Sequence, residues 1–112
     1  MEPISLRFDL RGLIEQNAWE PFRDGIDVIR LHGDIGKAGS TALLRYQPGA
    51  TLPPHSHCGF EHILTLEGVQ QDERGTYHEG SLVMNFPGSH HSVASPKGCT
   101  VLVIWSADVL FE

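Results

Sequence analysis

A chain of 112 residues supports one domain with a real core and leaves no room for a second. Apolar residues make up 40% and charged residues 20%, the proportions of an ordinary globular domain. Fourteen acidic against eight basic residues give a net charge of −6, which argues against nucleic acid and anionic membrane surfaces as partners.

The N-terminal MEPISLRFDLRG carries acidic residues and no apolar h-region, so no signal peptide is expected. No apolar run anywhere approaches the about eighteen residues of a membrane span. From Pro3 to Phe8, Ile4, Leu6 and Phe8 alternate with Ser5, Arg7 and Asp9, a period of two that predicts an edge strand. Asp9 is placed to cap a short turn of helix through Leu10, Leu13 and Ile14, against the weakening effect of Gly12. Trp19, Pro21 and Phe22 read as an aromatic plug over one end of the core.

Ile26 to Leu31 is apolar and rich in β-branched residues, a strand turned by Gly33-Asp34; Ser40 to Gln47 is another, ended by Pro48-Gly49. Ile63 to Leu66 follows as strand until Gly68, and Val69 to Tyr77 holds a polar hairpin tip, Asp72-Glu73-Arg74-Gly75. Ser81 to Asn85, Ser92 to Ala94, Thr100 to Trp105 and Val109 to Phe111 complete the strands, with turns at Pro87-Gly88 and Pro96-Lys97-Gly98. Strands recurring about every eight to twelve residues, with almost no helical period, predict an all-β sandwich or barrel.

The stretch Gly49 to Gly68 carries the chemistry. His55 and His57 sit two apart, so on an extended strand both imidazoles leave from one face. Glu61 reaches the same point if Cys58-Gly59-Phe60 makes the tight bend its glycine allows. A fourth donor lies in Asn85-Phe86-Pro87-Gly88-Ser89-His90-His91, where the turn can swing either His90 or His91 back across the sheets. Neutral imidazoles with a carboxylate suit one divalent first-row ion per chain, Fe, Zn, Ni or Mn. Glu61 reads either as a ligand or, close but unbound, as a general base.

These spacings resemble the cupin superfamily. Its first motif (a glycine, five residues, His-x-His, three or four residues, glutamate, six residues, glycine) is matched at every position by Gly49, His55, His57, Glu61 and Gly68. In its second motif Gly80, Gly88 and His91 fit, while Phe86 replaces the first proline and Ser95 the final asparagine. The resemblance runs from about Asp27 to Trp105. It selects His91 over His90, makes Glu61 a ligand, and implies a small jelly-roll β-barrel over residues 26–112, preceded by the edge strand and short helix of residues 1–25.

More narrowly, Pro-x-His-x-His, Leu-x-Leu-Glu-Gly, Tyr77 to Gly80 and Pro-Gly-Ser-x-His resemble the cupin-like domain of ChrR-type anti-sigma factors, whose relatives include small diketone-cleaving dioxygenases. The resemblance therefore implies either a metal-dependent dioxygenase acting on a small diketone or hydroxy-ketone, or a free-standing sensor. Those anti-sigma factors add a zinc domain, and no His-x-x-x-Cys-x-x-Cys run is present here, so sigma-factor capture itself is not expected.

Around the ligands, one of Arg45 and Tyr46 must face inward, and an inward Arg45 would clamp a carboxylate or enolate. Phe60, Met84, Phe86 and Trp105 are candidates for an apolar pocket wall. Alternation turns His62 outward, and His32 and His78 are expected at the surface. Gln70 to Glu73 reads as a solvated hairpin. Cys58 reads as a turn residue and Cys99 as a core thiol, unbridged, in keeping with a reducing cytoplasm. Ile4 to Phe8 is the strand expected to cross over in a homodimer.

Overall fold

The computed structural model describes residues 4–112, and these form eleven strands and one short helix. The helix is α1 (Leu10–Gln16). The strands are β1 (Glu20–Arg23), β2 (Ile26–His32), β3 (Ser40–Tyr46), β4 (Ala50–His57), β5 (Glu61–Gly68), β6 (Gln70–Asp72), β7 (Gly75–Tyr77), β8 (Leu82–Asn85), β9 (His90–Ser95), β10 (Cys99–Trp105) and β11 (Val109–Phe111). They form two antiparallel sheets in a jelly-roll arrangement: six strands ordered β1-β2-β3-β10-β5-β8, and five ordered β11-β4-β9-β6-β7. The helix is far too short to cross a membrane.

Alternation fills the space between the sheets. Val28, Leu44, Val101, Val103 and Ile63 project inward from the larger sheet and meet Leu52 and Val93 from the smaller one. Val28 and Val101 are sealed completely, and each buried aliphatic side chain contributes about 1.5–3 kcal/mol. Strand β10 is the spine: Cys99 pairs with Tyr46 and Gly68 at one end, Trp105 with Ser40 and Glu61 at the other. At the first end Ser95 and Gln70 are buried beside Cys99 and Tyr46, and the Ser95 hydroxyl donates to the Val69 carbonyl at 2.6 Å. The second is where His55, His57, Glu61, Asn85 and His91 are buried together.

The outer face of the larger sheet is covered only in part. Ile29, Leu43 and Thr100 point away from the inter-sheet core yet are buried. The α1 segment is tied to the same sheet, with Arg11 at 3.6 Å from Glu67 and Arg45 donating to the Asn17 side chain at 3.0 Å. Asp9 caps α1 as expected, accepting from the Gly12 amide, and Asn17 ends it in a left-handed conformation.

Two expectations for the N-terminus change. Ile4 to Phe8 forms no strand: no neighbour supplies a ladder, and Ile4, Leu6 and Phe8 remain exposed (Pro3 lies outside the described residues). The edge of the larger sheet is taken instead by β1, in the stretch expected to be an aromatic plug, where Phe22 does pack on the core. A period of two needs a partner before it becomes a strand.

Candidate metal centre

His55 and His57 reach the interior because β4 is bulged. Leu52 pairs with Val93 and His55 with His91, so three steps along β4 match two along β9, with Pro53-Pro54 as the irregularity. The extra residue resets alternation: Leu52 faces the core before it, His55 and His57 after it, and both prolines stay exposed. Without the bulge the imidazoles would point to solvent. Beyond β4 the chain bends sharply at Gly59, where a Cβ would lie 2.5 Å from the Ser106 hydroxyl and 2.7 Å from Ala107 Cβ. That bend brings Glu61, first residue of β5, across to the other sheet.

Four donor atoms, one each from His55, His57, Glu61 and His91, lie within 4.8 Å of one another, and all four residues are at least 96% buried. Glu61 Oε1 is 3.0 Å from His57 Nε2 and 3.6 Å from His91 Nε2. Neither nitrogen makes a hydrogen bond, although each is buried. Orphaned polar atoms of this kind cost free energy unless something else satisfies them.

The opposite ring nitrogens identify what that is. His55 Nδ1 donates to the Pro53 carbonyl at 2.8 Å, and His91 Nδ1 donates to Asp72 Oδ2 at 3.0 Å. His57 Nδ1 lies 3.0 Å from the Ser89 hydroxyl, which spends its own proton on the Phe86 carbonyl at 2.6 Å and so accepts from the ring. With Nδ1 holding a proton, each ring in its neutral form presents an Nε2 lone pair. Metal-ligating histidines are oriented in this way. The donor set of three nitrogens and one carboxylate oxygen suits a divalent first-row ion.

Glu61 is held from the other sheet. Asn85 donates to Oε1 at 3.0 Å and the Trp105 indole to Oε2 at 2.7 Å. Burial pushes the carboxyl up, but His57, His91 and the Asn85 bond outweigh it and hold Glu61 below the ordinary carboxylate value. Burial lowers His55, keeping its imidazole neutral. Asp72 is lowered too: His91, Tyr77 and the Arg74 amide overcome the burial that would raise it.

A cavity of about 230 Å³ opens onto Glu61 and Trp105. Its walls are Phe22, Ile35, Leu44, Leu52 and Val109. Arg23, Lys37 and Phe111 form its rim, and the Phe111 ring sits 5.3 Å from that of His55.

Of the residues singled out in the sequence, Trp105 reaches this cavity and also holds Glu61. Register resolves the Arg45–Tyr46 ambiguity: Tyr46 is buried in the core, its hydroxyl raised first by burial, while Arg45 turns outward to Asp27, Asn17 and the Trp19 ring. Arg45 therefore clamps nothing in the cavity. Phe60, Met84 and Phe86 are exposed and do not line it. Met84 pairs with His62 on the outward face of the larger sheet, and Phe60 packs against Phe86 and His62 outside. His90 pairs with Ser56 and faces away, opposite in parity to His91. Cys58 is exposed and Cys99 buried, both free.

Asn85 and Ser89, which hold Glu61 and His57, escaped the sequence reading, as did four further residues. Asp72, expected in a solvated hairpin, instead supports His91, and Arg23, Lys37 and Phe111 ring the cavity. No local pattern marks them. Each is recruited from a distant part of the chain.

The family model described as the ChrR cupin-like domain matches residues 9–107. No curated protein matches the chain significantly. Among solved structures, a Ralstonia eutropha protein of unknown function with a cupin-like fold is 24% identical, with a TM-score of 0.70 over 77% of this chain and 62% of its own. This chain thus spans less than two thirds of that protein. A candidate acetylacetone dioxygenase from Methylibium petroleiphilum superimposes with a TM-score of 0.82 at 17% identity, over 100% of this chain and 84% of its own. The Rhodobacter sphaeroides complex of SigE with the anti-sigma ChrR gives a TM-score of 0.68 at 18% identity, over 92% of this chain and 68% of its own. Identities this low establish a shared fold.

Proposed function

The chain belongs to the ChrR cupin-like domain family, and from that premise we propose that it is a mononuclear metalloprotein acting as a dioxygenase-like enzyme on a small diketone or hydroxy-ketone. The observation that carries this reading is the convergence of unpaired Nε2 atoms on Glu61 Oε1 beside a mostly apolar cavity. His55, His57, Glu61 and His91 would hold one divalent ion, Fe, Zn, Ni or Mn. Such an ion polarises a substrate carbonyl and, as iron, supplies the redox step that zinc lacks.

The chain's own residues do the rest. Pro53, Ser89 and Asp72 keep the three imidazoles in the binding tautomer. Asn85 and Trp105 occupy both Glu61 oxygens and keep the group ionised, which favours a ligand role over that of a general base. Leu44, Leu52 and Val109 exclude water from the floor of the cavity. The name of the Methylibium relative agrees with this reading.

The test is oxygen uptake by anaerobically iron-loaded protein over a panel of small β-diketones and hydroxy-ketones, with zinc-loaded protein as the control. Consumption by the iron form alone is expected. Tight binding without uptake above free iron would favour the second reading, a ligand sensor, to which the family match itself lends weight.

The exposed apolar side chains of Ile4, Leu6 and Phe8 support a homodimer in which this segment pairs with the partner's sheet edge. Light scattering should give a dimer at micromolar concentration and a monomer after removal of residues 1–9. The two free cysteines suit a reducing cytoplasm.

A further inference from the structure

The rim of the cavity runs against the charge of the molecule. The chain carries a net charge of −6, yet the charged residues at the mouth of this cavity are Arg23 and Lys37. The Arg23 guanidinium lies 4.1 Å over the Phe111 ring, and that ring in turn lies against His55. A guanidinium resting on an aromatic face keeps its N–H groups around its edge available for an acceptor. Among the described residues no carboxylate forms a salt bridge with Arg23. Lys37 has only Asp108, at 4.0 Å, an acid already accepting from the Ala38 amide. Below the rim the walls are apolar, and the acid in the floor, Glu61, is committed to Asn85 and Trp105.

We infer that the molecule taken into this cavity is a short keto- or hydroxy-carboxylate. Its oxygen-bearing head points toward the histidines and Glu61, its carbons lie against Leu44, Leu52 and Val109, and its carboxylate is held at the rim by Arg23, with Lys37 adding charge. This rests on the reading of the cavity as the substrate site and narrows it: a neutral diketone leaves the guanidinium without its acceptor. Arg23 also contributes beyond charge, because its fork can take both carboxylate oxygens at once.

The test compares 4,6-dioxoheptanoate, a β-diketone with a terminal carboxylate, with its uncharged methyl ester. Binding to the zinc-loaded full chain is measured by calorimetry, so that no turnover intervenes. The acid is expected to bind about tenfold tighter than the ester, the scale of one hydrogen-bonded ion contact. Arg23→Gln should bring the acid down to the ester's level, Lys37→Gln should narrow the gap, and added salt should shrink it.

Equal affinity for acid and ester overturns the proposal, as does failure of both to bind up to millimolar concentration. An Arg23→Gln variant that weakens acid and ester alike also overturns it, because the arginine would then serve packing through Phe111. The enzyme reading fails separately. An acid preference without oxygen uptake by the iron form leaves the carboxylate site standing, whereas uptake with neutral diketones and no acid preference removes the carboxylate site alone.

Discussion

The five-stranded sheet brings three imidazoles to the centre while the six-stranded sheet brings a single carboxylate, and the two secure their contributions by opposite means. Each histidine is fixed by one acceptor at Nδ1: the Pro53 carbonyl, the Ser89 hydroxyl or the Asp72 carboxylate. Glu61 is fixed by two donors, Asn85 and Trp105. The nitrogen side thus needs its tautomer set, and the oxygen side needs its charge kept. Taking away an acceptor lets a ring turn or re-protonate, which matters most once an ion is bound. Taking away a donor strands a buried charge, which matters even without one.

Removing a nitrogen altogether should have the largest effect. His57→Ala is expected to lose the ion and to melt at the temperature of the metal-free protein, since binding energy for the folded site is also folding energy. Elemental analysis that found full occupancy in this variant would dissolve the distinction between the sheets, because the site would not depend on its nitrogens.

The next pair sharpens it. Trp105→Phe keeps an aromatic ring but withdraws the 2.7 Å donor from Glu61, and should destabilise the metal-free protein by about 1.5–3 kcal/mol. Asp72→Asn keeps an acceptor for the Arg74 amide but loses the charge facing His91. It should weaken metal affinity about 10–100-fold, with a smaller cost to the metal-free fold. Chemical denaturation and metal titration of both variants separate the two effects. Identical profiles would contradict the assignment of tautomer control to one sheet and charge control to the other.

The smallest effect expected is on acid stability. In metal-free protein His55 is lowered by burial, and Glu61 and Asp72 are lowered despite it. In all three cases the unfolded chain takes up its proton at a higher pH than the folded one, so stability increases with pH. The His55 contribution is complete above about pH 6.5 and is lost as pH falls from there through the depressed folded value. The two carboxylates extend the loss below about pH 4. Melting temperatures should fall steadily on acidification. A flat profile from neutral pH to pH 5 would mean that the imidazole side is not held neutral by burial.

These contrasts trace which features are written locally in the chain and which are not. The strands at Ile26 to Leu31, Ser40 to Gln47 and Thr100 to Trp105 are legible because apolar, β-branched runs bounded by Gly and Pro turns are a property of consecutive residues. The spacing of His55, His57 and Glu61 is legible for the same reason, since one strand and one glycine bend span it. Arg45 and Tyr46 show where this stops. Alternation says that one of them faces inward, but only pairing with Thr100 and Cys99 on β10 selects Tyr46.

The sequence by itself determined an all-β chain with a metal-binding spacing, because both depend on short-range repetition. Tertiary structure decided everything that turns on register. It placed the bulge at Pro53-Pro54, which points the histidines inward, and left Ile4 to Phe8 without a strand to join. It turned Phe60, Met84 and Phe86 to the outside. It brought Asp72 to His91 and Trp105 to Glu61, partners 19 and 44 residues apart. A one-residue shift between strands exchanges the faces of every side chain, and no local pattern carries the information that fixes that shift.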